Sequence, residues 1–193
     1  MKEKPYHHGN LRNDLIEAGI QLINEEGLKS FSLRKVAARC QVSHTAPYSH
    51  FRDVEALISA MGDYVTSQFM HKLQSAVQGK ENTPGVLAFL GQAYIDFFAQ
   101  RPQYFQFLFY YSGLTINLDQ EQPEDYPPFA LFRSTAFRMF HQWGLPEEDH
   151  AHNLIASWSM VHGIAALSAT SGIQYSGSWT DIFIGTLMKK EKK

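Results

Sequence analysis

Apolar residues return every three or four positions through most of the chain, which is the spacing of helix faces. From Asn10 to Glu26, Leu11, Leu15, Ala18, Leu22 and Ile23 share one face, with Asn10 as the expected N-cap and Gly27 as the stop. A short second helix opens at Phe31-Ser32, capped by Ser32, and is expected to bury Leu33, Val36, Ala37 and Cys40. Gln41-Val42-Ser43 breaks it, and Ser43 is placed to cap a third helix from His44 to about Phe51. After Arg52-Asp53, Asp53 caps a long fourth helix that reaches about Val77, with Leu57, Ile58, Met61, Tyr64, Val65 and Leu73 at its apolar positions.

The second half repeats this style. Gly79 to Gly85 reads as a polar linker and Val86 to Gln100 as a helix. Pro102 starts a helix from Gln103 to Tyr111, and Gly113 to Pro128 reads as a loop. Further helices are predicted from Phe129 to Trp143, stopping at Gly144, from near Pro146 to about Ser171, and from Trp179 to Lys190 with basic residues in the last turn. Gly172 to Ser178 is the loop between the last two. No strand pattern and no internal repeat emerges, so the expected fold class is all-α.

Phe31 to Phe51 has helix-turn-helix arithmetic: about eight helical residues, a three-residue turn, then another short helix. Val36, Ala37 and Cys40 would face Val42 and the inner side of the third helix. The outer side would carry His44, Thr45, Ala46, Tyr48 and His50. A helix of this kind fits the roughly 12 Å major groove of DNA, where His and Thr reach base edges or phosphates and an alanine methyl can touch thymine. The Tyr48 hydroxyl sits on a stiff arm suited to a phosphate oxygen. Pro47 removes one backbone donor near the helix start, where the cost is smallest, and is expected to stiffen the helix.

Charge supports this modestly. Residues 1–52 hold eight Lys/Arg against five Asp/Glu, whereas residues 53–193 hold nine against fourteen. The basic part also contains His7, His8, His44 and His50. The excess is small enough that a merely solvated surface would look the same. A single cysteine, Cys40, excludes an intrachain disulfide and a cysteine zinc cluster, and reads as a small buried apolar residue. No apolar run approaches the roughly 20 residues of a membrane span, and Met1 to Asn10 is polar, so a cytoplasmic protein is expected.

The run from Val36-Ala37 through Val42-Ser43-His44-Thr45-Ala46-Pro47-Tyr48-Ser49-His50-Phe51 to Glu55-Ala56-Leu57 resembles the DNA-binding domain of the TetR/AcrR transcriptional regulators. The leader Tyr6-His7-His8-Gly9-Asn10-Leu11-Arg12 resembles the opening of one subgroup, whose C-terminal half carries a Trp-His-Gly signature. Here Trp158-Ser159-Met160-Val161-His162-Gly163 matches it. The resemblance implies a helix-turn-helix DNA-binding domain over residues 1–55. The long fourth helix would join it to a ligand-binding and dimerisation domain over 56–193. The resemblance further implies a homodimer on double-stranded DNA with a near-palindromic operator. Tyr48 and His50 would hold phosphates, and His44, Thr45 and Ala46 would lie nearest base edges. Ser32, Arg34 and Ser43 complete the expected DNA-binding set. The chain departs from the family pattern at Gln41, where Gly is usual, and at Val54, where Lys is usual.

Residues 86–143 are dense in aromatic rings, from Phe89 through Tyr94, Phe97, Phe98 and Tyr104 to Phe140 and Trp143. Most must be core, yet a cavity among helices with a few polar groups is the usual small-molecule site. A hydrophobic effector is therefore expected, with Tyr104, Phe105, Leu108, Phe132, Phe137, Trp158 and His162 lining its pocket. Trp158 and His162, four apart, share a helix face. A hydrogen-bonded core histidine is the alternative for His162. In the helix from about Glu147, Ile155, Ala156, Ser159, Met160, Gly163, Ala166, Leu167 and Thr170 are spaced for close packing. With Ile182, Phe183 and Leu187 of the last helix they would form a four-helix dimer interface, unless they are buried within the monomer.

His150 and His152 with Asp149 invite a metal reading, but residues two apart do not share a helix face, so no metal site and no cofactor are expected. There is no Gly-x-Ser-x-Gly, no phosphate-cradling glycine loop and no His-Glu-x-x-His. The expectation is a ligand-released repressor, with an activator or ligand-independent regulator as the runner-up, set against an enzyme acting on a hydrophobic small molecule and against a purely structural dimer.

Overall fold

The computed structural model describes residues 10–118 and 126–188. Among these the regular elements are all helical: α1 (Leu11–Glu26), α2 (Leu33–Arg39), α3 (Val54–Val77), α4 (Val86–Gln100), α5 (Pro102–Gln106), α6 (Pro127–Gln142), α7 (His150–Ala169) and α8 (Trp179–Met188). Short 3-10 turns cover Leu28–Ser30, Ala46–Ser49 and Glu147–Asp149, and a π-helical turn covers Phe107–Tyr111. The all-α expectation holds. Part of the predicted 113–128 loop and the expected basic last turn at 189–190 lie outside the described residues. The helices pack as two compact units: one holds the described residues up to Val65 together with Gln106–Gly113, the other Thr66–Phe105 and the described residues from Leu114 onward. The division falls inside α3.

In the first unit α1 buries Leu15, Ile16, Ile20 and Ile23, and the first half of α3 buries Leu57, Met61 and Val65. The two approach closely at Gly19, where a Cβ would lie 2.9 Å from Met61 Sδ. The Tyr64 hydroxyl donates to Glu17 Oε1 across the same pair of helices, at 2.7 Å. Gly27 stops α1 as expected, at φ 76°. Ser32 caps α2, its Oγ accepting from Lys35 N at 3.3 Å. Asp53 caps α3, its Oδ1 accepting from Ala56 N at 2.8 Å. Cys40 is half-buried rather than buried, with Sγ set against the Asp14 carbonyl.

In the second unit α4 is the central helix, packed against α6, α7 and α8. It buries Val86, Leu90, Ala93, Tyr94, Ile95, Phe97 and Phe98, the outcome expected of a helix with so few polar positions. Gly91 lets α8 close in, because Phe183 and Val161 occupy the space around its Cα. The Thr180 hydroxyl donates to Asp96 Oδ1, a second tie between α8 and α4. Phe183, expected at a dimer interface, is thus 5% exposed and belongs to this core. Arg133 is buried too. Its guanidinium lies 4.8 Å from the Phe129 ring centroid and donates to the Asn117 carbonyl.

Candidate nucleic-acid interface and ring cluster

The stretch from Ser43 to Phe51 is the least α-helical part of the predicted helix-turn-helix. It is a 3-10 turn over Ala46–Ser49, with Thr45 in the capping position and no side-chain cap. The expected role of Ser43 as a side-chain cap fails. Its carbonyl accepts from Ala46 N at 3.0 Å, while its hydroxyl pairs with the Thr45 hydroxyl at 3.1 Å. Pro47 supplies the reason. It lacks a backbone N–H, and its ring disfavours the α conformation for Ala46 before it. The α-type bond from position 47 to Ser43 is lost, and i to i−3 bonds such as Tyr48 N to Thr45 carbonyl, 3.1 Å, form until Phe51 N reaches the Pro47 carbonyl at 2.9 Å.

Pro47 and Phe51 anchor this turn to the first unit, both buried. Arg12 of α1 lies over the Phe51 ring, 5.5 Å from its centroid. Between the anchors the polar side chains point outward: Ser43, His44, Thr45 and His50 are exposed, Ala46 is intermediate, and Tyr48 is 59% exposed. The predicted set therefore shares one exposed edge. Arg34 is exposed on α2, whereas Ser32 is half-buried and its Oγ already accepts the capping bond. Gln41, between α2 and this edge, adopts φ 57°. The left-handed backbone that the family usually fills with glycine is present.

The cations of this unit divide into two groups. Lys35 pairs with Glu26 at 2.6 Å, and Arg39 makes a two-point contact with Glu25. These hydrogen bonds hold both glutamates below the usual carboxylate range. Lys29 and Arg34 form no ion pair among the described residues. Arg12, over the Phe51 ring, is likewise in no ion pair among the described residues, and Lys29 was missed in the sequence because it lies ahead of the helix-turn-helix.

In the second unit the rings form a continuous cluster. Tyr94 stands at its centre, with Phe69 at 5.0 Å, Phe98 at 5.1 Å and Trp158 at 5.3 Å between centroids. Its hydroxyl meets His162 Nδ1 at 2.9 Å. His162 stacks on Trp158, centroids 5.6 Å apart and planes 20° apart, and lies 5.1 Å from Phe105. Burial lowers the His162 pKa and pushes the Tyr94 phenol well above its ordinary value. Phe132 reaches Trp158 at 5.7 Å. Tyr104, Phe105, Phe132, Trp158 and His162 of the expected lining thus lie in this unit's ring network.

Two expected lining residues do not. Leu108 is buried in the first unit, because the π turn that holds it packs with α1. Phe137 is 36% exposed and lies against His150, since buried Ala136 takes the inward position beside it. Between Leu90, Gly91, Tyr94, Phe132 and Trp158 the free space is only about 10 Å³. No group of His, Cys, Asp and Glu fit to hold a metal occurs among the described residues. His150 instead lies among Phe137 and Phe140, with Nε2 3.1 Å from the Leu145 carbonyl. No described helix is long and apolar enough to cross a membrane.

Comparison with known proteins extends the geometry. A family model described as bacterial regulatory proteins, tetR family, matches residues 15–61, and one described as tetracyclin repressor-like, C-terminal domain, matches residues 87–184. The chain belongs to the TetR family. That family consists of DNA-binding transcriptional regulators, not enzymes. As a TetR-family chain it is 40% identical over 50 residues to the tetracycline repressor protein class G of Vibrio anguillarum, covering 26% of this chain and 24% of that protein. The match thus spans about a quarter of that relative's length. Among solved structures, a putative transcriptional regulator from Pseudomonas aeruginosa PAO1 superposes with TM-score 0.71 at 18% identity, over 97% of this chain and 93% of that one. A TetR variant from Acinetobacter baumannii AYE, in complex with minocycline, gives TM-score 0.57 at 19% identity over 96% and 94%. At these identities the structures share the TetR fold with this chain.

Proposed function

We propose that this TetR-family chain is a homodimeric repressor that binds a near-palindromic operator and is released by a hydrophobic small molecule. Residues 1–55 would bind DNA and residues 56–193 would sense and dimerise. One observation carries the reading: a short turn anchored by buried Pro47 and Phe51 turns Ser43, His44, Thr45, Tyr48 and His50 to solvent together. Those side chains lie outside the core, and they are the types that reach phosphates and base edges. His44, Thr45 and Ala46 are assigned to bases, and Ser32, Arg34, Ser43, Tyr48 and His50 to the backbone.

The dimer reading is supported by α7 and α8. Ala156, Ser159 and Leu167 are exposed, Gly163 has open space where a Cβ would be, and Leu167 and Ile182 are 44% and 38% exposed. An apolar stripe on two neighbouring helices is what a twofold partner covers. The Leu187 side chain, also expected there, lies outside the described residues. The Trp158-to-Gly163 signature supports placing the chain in the Trp-His-Gly subgroup.

The effector reading rests on the ring cluster around Tyr94 and His162, and a solved structure of similar fold is a complex with minocycline. With about 10 Å³ free between Tyr94, Phe132 and Trp158, these rings must part to admit a molecule there. A ligand shifts the dimer toward a state spaced wrongly for DNA only if it prefers that state. α3, whose halves pack in different units, is the proposed lever. The filled cluster also favours a second reading, a regulator that needs no ligand.

Selection of bound DNA from a random pool tests the core claim. A recovered palindrome with half-sites about one helical turn apart, roughly 34–36 Å or somewhat more, is expected. Recovery of no preferred sequence would overturn it. Operator affinity measured across a panel of apolar aromatic compounds then separates the two readings.

A further inference from the structure

The space between Tyr94, Phe132 and Trp158 is only about 10 Å³, yet the same unit has an open groove of small-molecule size. It holds about 470 Å³ between the C-terminal half of α3 and the end of α4, within the roughly 300–1,000 Å³ of ligand sites. Ser67, Gln68, His71 and Lys72 enter it from one face of α3, and Phe97 and Arg101 from the other side. No carboxylate lines it. Lys72 and Arg101 form no ion pair among the described residues.

Part of the groove is ordered in advance. The Arg101 guanidinium lies 5.6 Å from the Phe97 ring centroid and 6.0 Å from that of Tyr104, where the ring faces attract it. Gln68 Nε2 donates to the Tyr104 hydroxyl at 3.4 Å. One buried tyrosine thus steadies two polar side chains, reducing the ordering cost of binding. Lys72 also lines an adjoining recess of about 320 Å³ with Lys80 and Phe89. Its acid, Asp96, is engaged by the Thr180 hydroxyl.

We propose that this groove binds a small organic phosphate, with the phosphate between Lys72 and Arg101. The guanidinium offers paired coplanar donors and the ammonium a point charge. The hydroxyl of Ser75, which also lines the groove, and the Gln68 amide add donors outside that plane. A tetrahedral group with several acceptor oxygens meets such a set more fully than a carboxylate with two coplanar ones. The site is distinct from the ring cluster and does not rest on the effector reading.

Isothermal titration calorimetry of the full chain with ADP, inorganic pyrophosphate and citrate in about 0.1 M chloride tests this. The expected result is saturable binding of ADP at one site per chain, weakened about tenfold or more in Lys72→Gln and in Arg101→Gln. Lys29→Gln, which removes an unpaired cation from the first unit, is expected to bind as the parent does. Thermal melts identify any variant that fails to fold, and Lys72→Gln, on the helix surface, decides the matter should Arg101→Gln unfold. Absence of ADP and pyrophosphate binding at millimolar concentration overturns the proposal. So does binding that Lys72→Gln leaves intact, and so does binding of citrate alone.

Discussion

Phe183 fills the space that a side chain at position 91 would need: a Cβ on Gly91 would sit 2.3 Å from its Cζ. That distance is far inside van der Waals contact, so α8 seats on α4 only because position 91 has no side chain. Gly91→Ala is expected to cost about 1–3 kcal/mol, the range for overpacking a core. Urea denaturation measures it. Combining Gly91→Ala with Phe183→Leu should recover part of the loss, because neighbouring substitutions couple. A Gly91→Ala chain as stable as the parent would show that α8 is not held this way.

Gln41 holds a left-handed backbone at φ 57°, a conformation that costs a side-chain-bearing residue roughly 1–2 kcal/mol. Gln41→Gly is expected to raise stability by about 1 kcal/mol, offset in part by the greater freedom of glycine in the unfolded chain. The midpoint of urea unfolding should rise with an unchanged slope.

In the proposed interface, Tyr48 and Arg34 leave different signatures. Tyr48→Ala should abolish operator binding without lowering the melting temperature, because the side chain is 59% exposed. Arg34→Gln should weaken binding and reduce the slope of log affinity against log salt by about one, the effect of one lost phosphate contact. Lys35→Gln and Arg39→Gln should change that slope less, since both cations are already committed to glutamates. Fluorescence anisotropy at several salt concentrations distinguishes these outcomes.

Burial lowers the His162 pKa. As pH falls, the unfolded chain therefore takes up a proton at this residue before the folded chain does. Stability contributed by the neutral ring is present above the ordinary histidine value, about 6.5, and is lost as pH falls through the window below it. His162→Gln should flatten the pH dependence of stability between pH 7 and 5 relative to the parent. Parallel profiles for the two chains would contradict it.

Much of this was legible in the sequence. The limits of α4 follow from its unbroken apolar spacing, and the stops at Gly27 and Gly144 follow from glycine, with φ 76° and 70°. The Ser32 and Asp53 caps formed as expected from their side-chain oxygens. Phe137 shows where pattern was overridden by composition. Phe129, Phe132, Ala136 and Phe140 keep a helical phase that points inward, and Phe137 falls outside it.

Other features had no local signal. Phe107 to Tyr111 is apolar at every position, so periodicity cannot separate a π turn from an α-helix or assign Leu108 to either unit. The pairing of Tyr94 with His162 joins residues 68 positions apart. A tyrosine on a buried, apolar helix face does need a partner for its hydroxyl, which was the available clue, but not which partner. The groove cations Lys72 and Arg101 are unremarkable in sequence and acquire meaning only when α3 and α4 are set side by side.

Only His44, Thr45 and Ala46, at the entry to the Ala46–Ser49 turn, are assigned to base edges, and at about 2.0 Å per residue that proposed reading head is roughly 6 Å long. Successive base pairs are about 3.4 Å apart along the duplex. Each half of a dimer could then inspect only two or three base pairs directly, too few to single out one address in a genome. Selectivity would have to reside in the separation of the two half-sites and the bendability of what lies between them. Inserting or deleting a single central base pair should therefore damage recognition more than altering a contacted letter.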